Sequence, residues 1–227
     1  VERLRAEWNA VVAHDLRNPL NNIALHTQLL ARGVRGREAL TESVEAVQSA
    51  TARLNRMVLD LLDLSRAEAG RFKVIPSALC LTEATRKAVE RASFAAQGRR
   101  FELRHGDSLT VLADDDRLAQ VMDNLLSNAI KYGASECTIR VTVERVGGEA
   151  SVSVTNEGEP LPREMIHQLF QRFQRGDERR LADIKGVGLG LYITRELIEA
   201  QGGRISAEST PEGRTTFRFT LPLAEAA

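Results

Sequence analysis

The chain has 227 residues, enough for one large domain or two modest ones, and 43% of them are apolar, ample for a core. Lys plus Arg and Asp plus Glu balance at 31 each, which argues against a dedicated nucleic-acid binder. Its two cysteines, Cys80 and Cys137, are far apart and form no CxxC pair, which excludes a disulfide framework and a cysteine zinc site; both read as small buried hydrophobes.

Residues 1–31 read as one amphipathic helix, with Trp8, Val12, Leu16, Ile23 and Leu30 on one stripe. The helical pattern is already under way at Val1, so the helix is expected to continue into something upstream. Gly33 and Gly36 break it, and a second helix starts near Thr41. There Leu40, Val44, Val47, Thr51, Leu54, Val58 and Leu61 alternate at spacings of four and three, a heptad seam. Two long helices and a short turn make an antiparallel hairpin, which cannot bury both stripes alone. Two copies pairing into a four-helix bundle would do so, giving a homodimer through residues 1–70. The alternative is a monomeric hairpin packed on the rest of the chain.

Ala69-Gly70 closes the second helix, and Pro76 marks a linker over 71–77. A helix is expected over 81–97, strand-like stretches over 100–104 and 110–113, and a helix from Asp115 to Tyr132 capped by Asp114. Strands over 136–144 and 150–155 join through Gly147-Gly148, a hairpin signal. A short helix over 163–170, a polar Arg-rich loop, a helix over 187–201 and strands over 204–208 and 215–221 complete an α+β sandwich over 78–227, helices on one face of a mixed sheet. No apolar run approaches the ~20 residues of a membrane span, and no signal peptide stands at the start, so a cytoplasmic location is expected.

Four places carry chemistry. His14 lies about 200° round its helix from Val12, away from the apolar stripe. Asp15 follows it and Asn18 is one turn on. Imidazole, with an ordinary pKa of about 6.5, is a good nucleophile near neutral pH, and an adjacent carboxylate can take its proton. Pro19 should bend the helix just past it, at a cost of about 3 kcal/mol in a plain context. A surface histidine beside a packing kink is the alternative.

On the 115–132 helix, Asn124 and Asn128 share a face, although asparagine is a poor helix former. Amide oxygens suit Mg²⁺; Lys131 adds a phosphate-directed charge and Tyr132 a ring for a ribose or base. Asn156 and Gly158 end a strand in a tight turn that could read a base edge. Gly186-Val187-Gly188-Leu189-Gly190 opens a helix whose amides can bind phosphate; it fits neither the dinucleotide fingerprint nor a P-loop. Upstream, Phe170 and Phe173 could fold the loop onto the domain while Arg172 and Arg175 face phosphates.

The motifs AHDLRNPL, NxxxNAxKY, strand-end NxG, FxRF and GxGLGL occur in this order. The chain thereby strongly resembles the two-component sensor histidine kinase family, over essentially its whole length. The resemblance implies a sensor domain upstream, then a dimeric helical phosphotransfer domain followed by an ATP-binding domain of the type shared with DNA gyrase. The HDLRNPL wording is also similar to bacteriophytochrome-type kinases.

By that resemblance, His14 matches the phospho-accepting histidine and Asp15 the acid that assists proton removal. Asn18 matches the position that orients a water for dephosphorylating the partner. Asn128 matches the Mg²⁺ ligand; Asn124, Lys131 and Tyr132 match nucleotide contacts. Lys185, Gly186, Val187, Gly188, Leu189 and Gly190 match the phosphate side beside a mobile lid, and Thr215 a residue near the adenine. Where the family has DxGxG, this chain has Asn156-Glu157-Gly158-Glu159-Pro160. An amide oxygen still accepts from the adenine amino group, without charge, and Pro160 stiffens the turn. The resemblance implies an ATP- and Mg²⁺-dependent protein-histidine kinase that phosphorylates His14, with charge stabilised by Mg²⁺, Lys131 and Arg172, and passes the phosphoryl group to an aspartate of a response regulator receiver domain. The rival readings are a phosphatase-dominant regulator relying on Asn18, and a non-enzymatic docking module with a degraded ATP site.

Overall fold

The computed structural model describes residues 2–31, 37–68, 73–96, 98–172 and 188–224, and for residues 2–15, 31, 37 and 68 the backbone alone. In chain order the elements are α1 (Glu2–Ala31), α2 (Arg37–Glu68), β1 (Ser77–Cys80), α3 (Leu81–Ala95), β2 (Phe101–His105), β3 (Thr110–Ala113), α4 (Asp115–Tyr132), β4 (Ile139–Val146), β5 (Glu149–Glu157), α5 (Arg163–Ile166), α6 (Gly190–Glu199), β6 (Arg204–Ser209) and β7 (Arg214–Pro222).

α1 and α2 form the expected hairpin, and α1 stays one helix through Pro19, whose ring is buried. The seam on α2 needs correction. Its buried positions are Ser43, Ala50, Met57 and Leu64, one every seven residues, and Asp63 beside the last. Of the predicted seam, Leu40 is 47%, Val44 40% and Val58 44% exposed. The two stripes lie about one residue apart round the helix, or 100°. The hairpin covers the first and leaves Leu40, Val44, Thr51 and Val58 of the second exposed, while Val47, Leu54 and Leu61 are half-buried.

The remaining elements form a five-stranded mixed sheet in the order β2-β4-β5-β7-β6, with only the β2–β4 pair parallel. Gly147 and Gly148 make the predicted two-residue turn, pairing Val146 with Glu149. On one face of the sheet α4 buries Leu118, Val121, Leu125 and Ala129, and α6 buries Ile193, Leu197 and Ile198, against strand residues such as Val141, Val152 and Phe219. α4 begins where predicted because the Asp114 carboxylate accepts from Arg117 N at 3.2 Å.

β1 was not foreseen. It pairs antiparallel with β3 in a separate two-stranded sheet, from Ser77 opposite Ala113 to Cys80 opposite Thr110. The predicted strand at 136 begins at Ile139, since Cys137 N still closes a turn onto Ala134 O (3.2 Å). The helix expected over 163–170 is regular only over Arg163–Ile166, and that over 187–201 only over Gly190–Glu199; Val187 lies outside the described residues. Neither cysteine is fully buried. Cys80 is the N-cap of α3, its Sγ accepting from Glu83 N at 3.4 Å and lying 3.1 Å from Ser108 Oγ.

The hairpin and the sheet unit touch through α2. Met57 and Leu64 join the same buried cluster as α4 and α6. Between them Asp63 is buried, accepting from Gln120 Nε2 at 2.7 Å and pairing with Arg117 Nη1 and Arg66 Nη1 at 3.4 Å each.

Candidate functional site

Arg117, Gln120, Asn124, Asn128 and Lys131 fall at helical spacings of three and four, so they share one face of α4. Asn124 is not a free ligand group. Its Nδ2 donates to Thr194 Oγ1 of α6 at 2.6 Å. A Cβ on Gly190 would lie 2.5 Å from Asn124 Oδ1, so the start of α6 can approach α4 this closely only with glycine there. Two residues earlier, Gly188 has φ 72°, in the left-handed region. The asparagine therefore seats the N-terminus of α6, and Leu189 beneath it is fully buried. Asn128, one turn on, is half-buried and its amide makes no hydrogen bond among the described residues.

The opposite wall is the end of β5. Asn156 is buried and pairs in register with Thr215 of β7, also buried. Thr215 Oγ1 lies 3.0 Å from Ser209 Oγ, which accepts from Leu161 N at 3.1 Å. Gly158 bridges to Gly133, just past α4, and its N donates to Gly213 O at 2.8 Å. Asn156 lies under Gly133: a Cβ there would meet the Asn156 Cβ at 3.2 Å. The structure thus brings Asn124, Asn128, Asn156, Gly158, Gly190 and Thr215 around the two ends of α4 and α6. Tyr132, 45% exposed, stands at the rim.

The cations differ from expectation. Arg172 donates from Nη2 to Tyr192 OH at 2.9 Å, its guanidinium 4.8 Å from that ring's centroid, so here it is committed to α6. Lys131 turns toward α2. Burial, then Arg56 and Arg53, push its ammonium below the usual lysine range, with Asp60 opposing. Phe170 packs edge-to-face on Phe217 at 6.3 Å, holding the chain to the sheet as foreseen. Phe173, Lys185, Gly186 and Val187 lie outside the described residues. His14 and Asp15 lie in α1 as backbone only; Asn18, one turn on, is half-buried.

Three partners escaped the sequence reading: Thr194 beneath Asn124, Tyr192 beneath Arg172, and Asp63 beneath Gln120. The buried face of α6 was legible, but nothing in the pattern paired it with particular asparagines or arginines.

The fit of the implied ligands can be judged on these groups. The unengaged amide of Asn128 is a hard oxygen donor of the kind Mg²⁺ takes. The close seat of Gly190 leaves backbone, not side chain, at the mouth of α6, as a phosphate requires. The residues present fit both groups.

Comparison with known proteins agrees with this geometry. Residues 4–70 match the His Kinase A (phospho-acceptor) domain, and residues 113–225 match the histidine kinase-, DNA gyrase B- and HSP90-like ATPase family. The chain is 33% identical over 219 residues to the sensor protein CzcS of Cupriavidus metallidurans, covering 96% of this chain and 46% of that protein. It is 33% identical over 227 residues to a bacteriophytochrome of Pseudomonas aeruginosa, covering 100% of this chain and 31% of that protein. The chain thus spans less than half the length of either relative. Among solved structures, histidine kinase ThkA in complex with response regulator protein TrrA is similar with a TM-score of 0.70 and 26% identity, covering 98% of this chain and 64% of that one.

Proposed function

The chain belongs to the two-component sensor histidine kinase family, and we propose that it is an ATP-dependent protein-histidine kinase core that phosphorylates its own His14. In this reading residues 1–70 form the dimerising phosphotransfer domain, 71–77 a linker and 78–227 the ATP-binding domain. The supporting observation is that α4, whose polar face carries the unengaged Asn128 amide, lies against α2 of the same hairpin that carries His14 on α1. The proposed donor site thus adjoins the hairpin that carries the proposed acceptor.

Asn128 would hold Mg²⁺, which when bound offsets charge on the phosphates. Asn156, Gly158 and Thr215 would receive the adenine, with the amide of Asn156 accepting from its amino group. Tyr132 would lie against the nucleotide at the rim. The backbone at Gly188, Leu189 and Gly190 would face phosphate, with Lys131 as the nearby cation. The His14 ring nitrogen attacks the terminal phosphorus; a nitrogen–phosphorus bond forms, the bond to the bridging oxygen breaks, and ADP leaves. Asp15 orients the ring and takes its proton. The phosphoryl group then passes to an aspartate carboxylate of a response regulator receiver domain. The outward stripe of Leu40, Val44 and Val58 supports pairing with a second copy.

Incubating the chain with labelled ATP tests the reading. Acid-labile label should appear on the wild type and be lost in His14→Gln, with nucleotide binding retained. Label persisting on that variant would sink the assignment.

A further inference from the structure

The second helix of the hairpin also touches α4, the helix that carries the asparagine face. Asp63 of α2 is fixed to Gln120 and Arg117 of α4. From that pin, Arg53, Arg56, Asp60 and Asp63 lie at spacings of three, four and three, one face of α2. Gln120, Asn124, Asn128 and Lys131 similarly share a face of α4.

Gln120 is fixed to Asp63 at one end, and at the other Lys131 feels Arg56 and Arg53, so the two faces are read as antiparallel from the pin. Gln120 to Lys131 spans ~16 Å of helix and Asp63 to Arg53 ~15 Å. Lys131 therefore comes level with Arg53, and Asn128 with Arg56. The electrostatics agree: the strongest charges acting on Lys131 are Arg56 and Arg53, with Asp60 opposing. Three cations converge there, and among the described residues Asp60 is the carboxylate that opposes them at Lys131.

Arg53 carries the independent sign of a missing partner. The residue is half-buried, and its Nη2 is fully buried without a hydrogen-bond partner. A buried guanidinium nitrogen left unpaired is costly, and the group that best satisfies it is an oxyanion. Lys131, the α4 cation that feels Arg53 and Arg56, belongs to the phosphate end of the site as read above.

We propose that Arg53 and Arg56 of α2, together with Lys131 of α4, form an inter-domain anion subsite that takes the terminal phosphate of ATP. This rests on the reading of residues 78–227 as the ATP-binding domain. Arg53 and Arg56 are binding residues contributed by the phosphotransfer hairpin. Asp63 is a positioning residue that holds them level with the nucleotide. The subsite gives the site a preference for a triphosphate over a diphosphate only while hairpin and ATP-binding domain are docked.

The test is calorimetric titration of the full chain, in a His14→Gln background that cannot consume ATP, with MgATP and MgADP. Arg53→Gln should weaken MgATP roughly tenfold and leave MgADP within about twofold. Arg56→Gln should act in the same direction and more weakly, being exposed. Asp63→Asn, which touches no phosphate, should erase the same preference by releasing α2. Equal losses for both nucleotides in Arg53→Gln, or no loss, would overturn the subsite. So would an undiminished ATP preference in Asp63→Asn. If the background chain binds neither nucleotide, the ATP-binding reading itself falls.

Discussion

Gly190 sits against the side-chain amide of Asn124, so close that a methyl group there would lie 2.5 Å from Oδ1 and 3.0 Å from both Cγ and Nδ2. The amide cannot retreat without breaking its bond to Thr194. Gly190→Ala should therefore push α6 off α4 despite the better helix propensity of alanine. Overpacking of this kind costs about 1–3 kcal/mol, partly offset by up to ~1 kcal/mol of propensity. A lower melting temperature together with a loss of ATP affinity by titration is the expected outcome. Unchanged affinity would mean that the seat of α6 does not shape the phosphate side.

Arg99 caps the other end of the asparagine helix. Its Nη2 donates to Ile130 O at 2.5 Å and to Gly133 O at 2.6 Å, and its Nη1 donates to Ala134 O. A cation on the last carbonyls of a helix satisfies orphan acceptors and complements the dipole. Arg99→Ala should cost about 1–3 kcal/mol in urea unfolding. It should also weaken nucleotide binding, because Lys131 and Tyr132 occupy the turn it holds.

Asp60 makes stability depend on pH. Burial raises its pKa from 3.8 to about 6; Arg56 and Lys131 pull it down and Asp63 pushes it up. The folded protein thus holds this proton more tightly than the unfolded chain. Stability from this group is fully present below about pH 4 and is lost as pH rises through 6. Asp60→Asn should unfold at the same denaturant concentration as the wild type near pH 4 and gain about 1–3 kcal/mol over it at pH 7 to 8. A variant less stable than the wild type at pH 8 would contradict this.

Asn156 is buried beside Gly133 and paired with Thr215. Asn156→Asp places a charge where the adenine amino group is proposed to donate. Charged acceptors bind roughly twice as strongly as neutral ones, so MgATP should bind several-fold more tightly. The unliganded protein should melt lower at pH 7, since the carboxylate then lacks its donor. Titration and thermal melting read the two effects separately.

What was legible in the sequence is what local physics decides. Asp114 followed by a strong amphipathic pattern placed α4 to the residue, and Gly147-Gly148 placed the β4–β5 turn. β1 was invisible because Ser77–Cys80 has no alternation of its own and is a strand only through its pairing with β3. The spacing of Asn124 and Asn128 marked a special face, but not that the first amide would be consumed by Thr194, 70 positions away. The heptad pattern of α2 was visible as a period; which stripe faces inward depends on α1 and on α4 and α6, and came out one residue away. Lys131 and Arg172 stood out in the sequence as cations, but their companions on α2 and α6 are long-range and could not be read there.

Asp114 has a further consequence. One of its carboxylate oxygens takes Arg117 N at the start of α4, and the other takes Ile75 N from the segment that follows α2, at 2.9 Å. The backbone N of Asp114 donates to Gln201 Oε1, just past α6, also at 2.9 Å. Ile75, the first turn of α4 and the residue just past α6 are therefore tied to one another through Asp114. A displacement of residue 75 would be felt at the start of α4 through one carboxylate and at the tail of α6 through the backbone of the same residue.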